Sequence, residues 1–271
     1  MSKTIGSSGN AKRMDVDNST IAIEACDVHY YDGEKLSSVT DHIIREVPVE
    51  FYLNDDKVIT IACAGIHLEE LATGFLKSEG VIGTRQDLKE IKVFSGESRV
   101  HVFTKDGKQL LHNRSILSSG ARETGSEKIG KTITSDMKLS AIKALRLMDD
   151  HLNTTAIHKA THGTHCSSLA DGEGRLIVSR EDIGRHNTLD MIGGYVLLNA
   201  IDCSEKIIAT TGRVSSEIAS KVWKLGIPII LSHAVPTSRA IMMGNEAGIT
   251  IIGYMRNGKM TVYSHRERVI L

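Results

Sequence analysis

The sequence has no excess of charge, no paired cysteine motif, no long apolar run and no internal repeat. Lysine plus arginine (33) equals aspartate plus glutamate (33) over 271 residues. No net field therefore draws the chain to nucleic acid or to a membrane surface, and only local basic clusters can matter. The four cysteines, Cys26, Cys63, Cys166 and Cys203, form no Cys-x-x-Cys pair, which argues against a zinc ribbon or a thioredoxin-type site. No apolar signal core opens the chain, and no run approaches the length of a membrane span. Scattered thiols without an export signal fit a reducing cytoplasm. The length suffices for two small domains or one large one with an ample core.

Residues 1–20 are mostly Ser, Gly, Asn, Lys and Asp and read as a disordered arm. Residues 21–112 read as a strand-rich N-terminal domain with one helix. A single strand is expected over 43–53, a turn at Asn54-Asp55-Asp56 and a returning strand over 58–62. Leu68, Leu71, Ala72, Phe75 and Leu76 are spaced for one buried face of a helix over 68–78, with Glu69 and Glu70 on its solvated face. Short strands follow over 91–94, 100–103 and 109–111. Residues 113–136 are rich in Ser, Gly, Arg, Glu and Thr and show no clear period. A stretch this long is functional or disordered; the expectation is a mobile functional loop, the alternative a solvated linker.

Over 137–271 strands and helices alternate. Helices are expected over 139–150, 189–200, 216–225 and 238–246. Strands are expected over 156–161, 166–169, 176–178, 207–210, 229–231, 249–254 and 260–263. This reads as a layered α/β domain of mixed sheet order, α+β over the whole chain.

Polar residues crowd the strand-to-helix junctions of this half. Arg180-Glu181-Asp182-Ile183-Gly184-Arg185-His186-Asn187, closed by Asp190, sits between an apolar run and a helical run. A helix beginning there would place Arg185, His186 and free backbone N–H groups at its N-terminus, where anions are favoured. Thr211-Gly212-Arg213-Val214-Ser215 offers a tight turn at Gly212 and a helix cap at Ser215. Ser232-His233-Ala234-Val235-Pro236-Thr237-Ser238-Arg239 has Pro236 suited to a first helical turn. Ligands of layered α/β sheets bind beyond the carboxyl ends of the strands. Arg185, Arg213 and Arg239 would there suit phosphate oxygens. Each junction alone reads as an ordinary cap with a surface arginine; together they point to a nucleotide-like anion.

Thr161-His162-Gly163-Thr164-His165-Cys166 invites a metal reading. On an extended chain, though, His162 and Cys166 share one face and His165 points to the other. One face then offers two ligands, and the Pro-Cys-x-x-Cys element of zinc deaminases is absent. No metal is expected, and His165 is read as lining a pocket. Isolated cysteines are ordinarily inert packing.

Several segments resemble the formate dehydrogenase accessory protein (FdhD) family. They are Arg45-Glu46-Val47-Pro48-Val49, Glu70-Leu71-Ala72-Thr73-Gly74-Phe75-Leu76-Lys77-Ser78-Glu79-Gly80, Thr164-His165 and Glu181-Asp182-Ile183-Gly184-Arg185-His186-Asn187. Gly212-Arg213-Val214-Ser215, Pro236-Thr237 and the ending 253–265 continue the likeness, which spans 42–270. The resemblance implies a cytoplasmic homodimer with a cytidine-deaminase-like C-terminal half lacking the zinc. It implies sulfur taken from a cysteine desulfurase as a persulfide. That sulfur would pass to the Mo-bis(molybdopterin guanine dinucleotide) cofactor of the formate dehydrogenase catalytic subunit. Guanine nucleotide would serve as a surrogate ligand. It places the cofactor-binding segment at Tyr254, Met255, Arg256, Asn257, Gly258 and Lys259. The remaining contacts are His165, Asp182, Arg185, His186, Asn187, Gly212, Arg213, Ser215, Pro236 and Thr237.

The chain departs from the family where the persulfide cysteines are expected. The corresponding loop reads Ser118, Ser119, Gly120, Ala121, Arg122, Glu123 and Thr124, with no cysteine between Cys63 and Cys166. Serine cannot substitute, because a persulfide needs a sulfur nucleophile. Met191 stands where the family commonly has lysine. Three readings follow: a cofactor-binding accessory protein, a sulfurtransferase working through Cys63 or Cys166, or a regulatory nucleotide-binding module.

Overall fold

The computed structural model describes residues 21–107 and 129–271. The expected arm over 1–20, the strand over 109–111 and loop positions Ser118 to Thr124 lie outside the described residues. A ribbon of β1 (Ile23–Tyr31) and β2 (Leu36–Ile44) comes first. A four-stranded sheet follows in the order β4-β3-β6-β5, built from β3 (Val47–Leu53), β4 (Asp56–Cys63), β5 (Leu88–Phe94) and β6 (Arg99–Thr104), with α1 (Leu68–Ser78) between β4 and β5. Alternation along β3 sends Val49, Phe51 and Leu53 into the core, where Leu71, Phe75 and Leu76 of α1 cover them. The single strand expected over 43–53 is broken at Arg45-Glu46. Ile44 belongs to the ribbon and packs on Ala64, Ile66 and Ile157, whereas Val49 faces the sheet's own core. One strand cannot serve two cores.

The second unit is a six-stranded mixed sheet in the order β13-β12-β11-β10-β8-β9. Its strands are β8 (His165–Asp171), β9 (Leu176–Asp182), β10 (Lys206–Thr210), β11 (Ile229–Ser232), β12 (Thr250–Arg256) and β13 (Lys259–Val262). β10, β11 and β12 run parallel, and the remaining pairings are antiparallel. One face is covered by α4 (Arg185–Leu198), α5 (Ser216–Leu225) and α6 (Ser238–Ala247). The other is covered by α2 (Ala141–Asn153), through Ala144, Leu147 and Met148. The short strands β7 (Leu139–Ser140) and β14 (Val269–Ile270) pair beside it. The chain is thus mixed α/β, as its sequence implies, and no helix among the described residues is long and apolar enough to cross a membrane.

The two units share α4. Leu189 and Ile192 join the core of the mixed sheet, while Met191 and Leu197 join the core under α1. Close approach of α1 and α4 rests on Gly74 and Gly194. A Cβ on Gly74 would lie 2.7 Å from the Gly194 nitrogen, and one on Gly194 would lie 2.7 Å from the Glu70 Cα.

Two expectations are corrected here. Residues 156–161, read as a strand, form α3 (Ala156–Thr161). The buried Glu181 carboxylate accepts the first free amides of that helix, from Ile157 (3.0 Å) and His158 (2.8 Å). Residues 129–136, read within the mobile loop, are anchored. Ile129 and Ile133 pack on the core, Trp223 donates its indole N–H to the Lys131 carbonyl (2.7 Å), and the Ile133 amide reaches Ala247 (2.8 Å).

Candidate functional site

Because β10, β11 and β12 are parallel, the segments that follow them leave the sheet at one edge. Antiparallel β8 begins at the same edge with His165, and β9 ends there with Asp182. The segments bind one another directly. Val214 pairs with Pro236 in a parallel bridge, and the Thr237 amide donates to the Val214 carbonyl (2.9 Å). The Ser232 hydroxyl donates to the Gly212 carbonyl (2.9 Å) and the Tyr254 amide to the Ala234 carbonyl (2.7 Å). Gly253 permits that last approach, since a Cβ there would lie 2.8 Å from the same carbonyl oxygen. Gly212, Pro236, Thr237 and the turn that begins at Tyr254 therefore form one connected rim.

Arg185 starts α4 after Gly184 and lies along this rim. A Cβ on Gly212 would come within 3.0 Å of the Arg185 Cβ and 3.3 Å of its Cδ. The Nε of Arg185 is buried with no hydrogen-bond partner among the described residues. A buried guanidinium donor left unmatched is costly unless something accepts from it. His165 stands close by, its Nδ1 3.4 Å from the Thr211 hydroxyl. Burial lowers its pKa, and the charges of Arg185 and His158 lower it further. His233 is lowered by burial and then by Arg256. His151, wholly buried, is pushed down to about 4 by burial and then by His233. Neutral imidazoles beside guanidinium groups leave the positive charge to arginine, so the rim offers cationic forks and neutral ring donors to an anion. Arg213 is exposed, and Arg256 lies over the exposed Tyr254 ring at 4.3 Å. Tyr254, Asn257 and Gly258 all have positive φ, which turns the chain tightly and leaves Lys259 exposed with them.

Much of the polar run from Arg180 to Asp190 does other work. Arg180 forms a two-pronged pair with Glu70 (2.6 and 2.7 Å), so Glu70 is no solvated face residue. Asp182 is buried and accepts from the amides of Ala64 (2.8 Å) and Gly184 (3.0 Å) and from the Asn187 side chain (2.7 Å). Burial raises its pKa against the pull of those bonds. Asn187 also donates to the Ala62 carbonyl (2.9 Å). Lys221 meets Asp190 at 2.5 and 2.6 Å, and Ser78 donates to the same carboxylate (2.7 Å). These bonds clamp the N-terminal unit to the α4 start; among the run, Arg185 faces the rim, and His186 lies 3.4 Å from Glu217 on α5. Ser215 and Thr237 cap α5 and α6, accepting from Ile218 and Ala240. Met255 is in the core, 1% exposed, and is not a surface contact.

His151 and His233 were not singled out from sequence. A signal existed for His151, which continues the buried spacing of Ala144, Leu147 and Met148. His233 directly follows the carboxyl end of β11.

The thiols are not set up as nucleophiles. Burial pushes Cys63 and Cys166 up to about 12, with Asp182 and Glu181 adding to it respectively, and pushes Cys203 up to about 11. A thiol that stays protonated is a poor sulfur acceptor. His162 is an exposed cap of α3 and Cys166 is buried on β8, so the extended run on which a metal was weighed does not exist. Among the described residues no cluster of three or more His, Cys, Asp or Glu could hold a metal ion.

Residues 44–270 match the family model described as FdhD/NarQ family. The chain is 36% identical over 254 residues to the sulfur carrier protein FdhD of Bacillus subtilis (strain 168), covering 90% of this chain and 96% of that one. It is 35% identical over 252 residues to the sulfur carrier protein FdhD of Staphylococcus aureus (strain JH9), covering 90% and 94%. A crystal structure from Desulfotalea psychrophila, described as a formate dehydrogenase accessory protein, superposes with a TM-score of 0.76. It has 24% identity and covers 92% of this chain and all of that one; at that identity the likeness speaks for the fold.

Proposed function

The chain belongs to the FdhD/NarQ family, and from that membership we propose that it is a formate dehydrogenase accessory protein that holds the guanylyl molybdopterin cofactor at the rim of its mixed sheet. The observation that carries this reading is the buried, unmatched Nε of Arg185 beside Gly212. Phosphate oxygens are the acceptors that suit such a fork. Arg213, Arg256 and Lys259 would add charge to the pyrophosphates, and His165 a neutral ring contact. The exposed Tyr254 ring would stack the guanine, with Arg256 already against it. When bound, the cofactor supplies the molybdenum centre that becomes sulfurated for formate dehydrogenase.

The same reading assigns no persulfide to this chain's own cysteines. The loop positions of the family's thiols carry Ser118 to Thr124, and Cys63 and Cys166 are buried with raised pKa values. Sulfur would then reach the held cofactor from a separate donor, with a cysteine desulfurase as its source.

Titration calorimetry with GDP tests the binding half. Wild type should bind, and Arg185→Ala should weaken it by about 1.5–3 kcal/mol, the range of a charged hydrogen bond. Equal affinities would remove the proposed pocket. Incubation with cysteine desulfurase and cysteine tests the other half: intact mass should show no gain of one sulfur, and an adduct lost in Cys63→Ala or Cys166→Ala would establish the carrier reading instead.

A further inference from the structure

Directly beneath the rim, three hydroxyls stand where the packing around them is hydrocarbon. Ser167 and Thr188 are 0% exposed and Thr210 is 2% exposed. Ser167 shares its face of β8 with Leu169, and Thr210 its face of β10 with Ile208. Both apolar residues belong to the core that Leu189 and Ile192 of α4 complete. The hydroxyls form a chain. The Gly212 amide donates to the Thr210 hydroxyl (3.2 Å), which lies 3.2 Å from the Ser167 hydroxyl. Ser167 and Thr188 meet at 2.7 Å, and Thr188 donates to the Arg185 carbonyl (2.8 Å). Thr188 has a single proton and gives it to that carbonyl, so Ser167 supplies the proton between the two hydroxyls. The chain thus runs from the backbone of Gly212 to the backbone of Arg185. These same residues meet at the rim, where a Cβ on Gly212 would stand 3.0 Å from the Arg185 Cβ.

Stability alone gives no reason for hydroxyls here. Exchanging bonded polar groups for apolar ones of the same shape is nearly neutral or stabilising. An apolar replacement would lose direction instead. Hydrocarbon contacts allow sliding, whereas a hydrogen bond weakens steeply away from its geometry, and a satisfied buried network is rigid. We propose that Ser167, Thr188 and Thr210 are positioning residues that hold the Arg185 guanidinium against the Gly212 turn for an anionic ligand. All three are buried below the rim and act through Arg185. The inference rests on the proposed function for its ligand, not for its geometry.

Thr188→Val keeps the branching and deletes the hydroxyl. Calorimetry with GDP should show about tenfold weaker binding by the full chain, the low end of what a lost charged hydrogen bond costs. Thr188→Ser retains the hydroxyl and should rescue binding. Placed on Arg185→Ala, Thr188→Val should add no further loss, because the residue it acts through is gone. A second readout needs no ligand. Burial, and then the Arg185 charge, hold the pKa of His165 down, so its midpoint in an NMR titration should rise in Thr188→Val as the guanidinium moves away. Ser167→Ala deletes one oxygen, should repeat both results, and stands in if Thr188→Val does not fold. A hydroxyl with a merely structural role would lower the urea midpoint and leave the His165 midpoint in place. Wild-type GDP affinity in both variants, an equal loss with and without Arg185, or an unmoved His165 midpoint would overturn the proposal. If wild type itself binds no GDP, the proposed function fails, and the His165 titration alone decides the positioning.

Discussion

Adjacent glycines in α4 should respond to alanine with opposite signs. A Cβ on Gly194 would lie 2.6 Å from the Glu70 carbonyl carbon and 2.7 Å from its Cα, both backbone atoms of α1 that cannot turn aside. The Glu70 carbonyl oxygen is nearer still, so to reach ordinary contact the helices must part by more than about 1 Å, and a gap of that size already forfeits a quarter to a half of each contact's attraction. Overpacking of this kind costs about 3 kcal/mol. The gain in helix propensity of about 1 kcal/mol leaves a net loss of about 2 kcal/mol or more. On Gly193 the nearest atoms are the Leu225 Cδ2 at 3.6 Å and the Gly74 Cα at 3.8 Å, which is ordinary contact. Gly193→Ala should therefore keep most of its propensity gain and stabilise by about 0.5–1 kcal/mol. Urea unfolding with an unchanged slope separates the two cases through their midpoints. Both variants moving in the same direction would refute the view that the α1–α4 crossing sets the position of the α4 start, and with it Arg185.

Three further outcomes follow from buried groups. The pKa of His151 is pushed down to about 4, below its unfolded value. The unfolded chain then takes up that proton first, so stability present above about pH 6.5 is lost as pH falls toward 4, by roughly 3 kcal/mol at most. In His151→Gln that stretch of the stability curve should flatten, and superimposable curves would contradict the buried neutral assignment. Lys221→Met strands the Asp190 carboxylate, 3% exposed, with the Ser78 hydroxyl as its main remaining partner; the expected loss by urea unfolding is about 3–5 kcal/mol, and a loss under about 1 kcal/mol would mean the pair is no clamp. Brief iodoacetamide treatment of the native protein should modify Cys26 ahead of buried Cys63, Cys166 and Cys203, all four reacting in urea; rapid native labelling of Cys166 would reopen it as a sulfur carrier.

Elements with local signals were legible from sequence. The helices over 68–78 and 216–225 match α1 and α5 to the residue, because the apolar spacing lies within the segments themselves and the Ser215 cap stands directly before the second. α3 was not legible, since its first amides are satisfied by Glu181, more than twenty residues away. The junction 180–190 shows the same limit within a site. Its polarity was evident, but polarity does not reveal the partner. Arg180, Asp182, Asn187 and Asp190 turned out to bind Glu70, Ala64, Ala62 and Lys221, leaving Arg185 toward the rim. The apolar period alone places the α4 start at 189, whereas the polar junction puts Arg185 and His186 at a helix N-terminus, where the helix does begin. That helix is buried against two cores, so a one-faced apolar pattern marks its middle and misses its beginning.

The claim that the rim holds a guanylyl pterin is tested most directly by what the protein retains. The full chain should be purified from cells that make the molybdenum cofactor, then denatured, and the released small molecules read by pterin fluorescence and mass. The expected result is a pterin together with guanine nucleotide from wild type and neither from Arg185→Ala. Wild type that releases neither, though folded and monodisperse, would contradict the account.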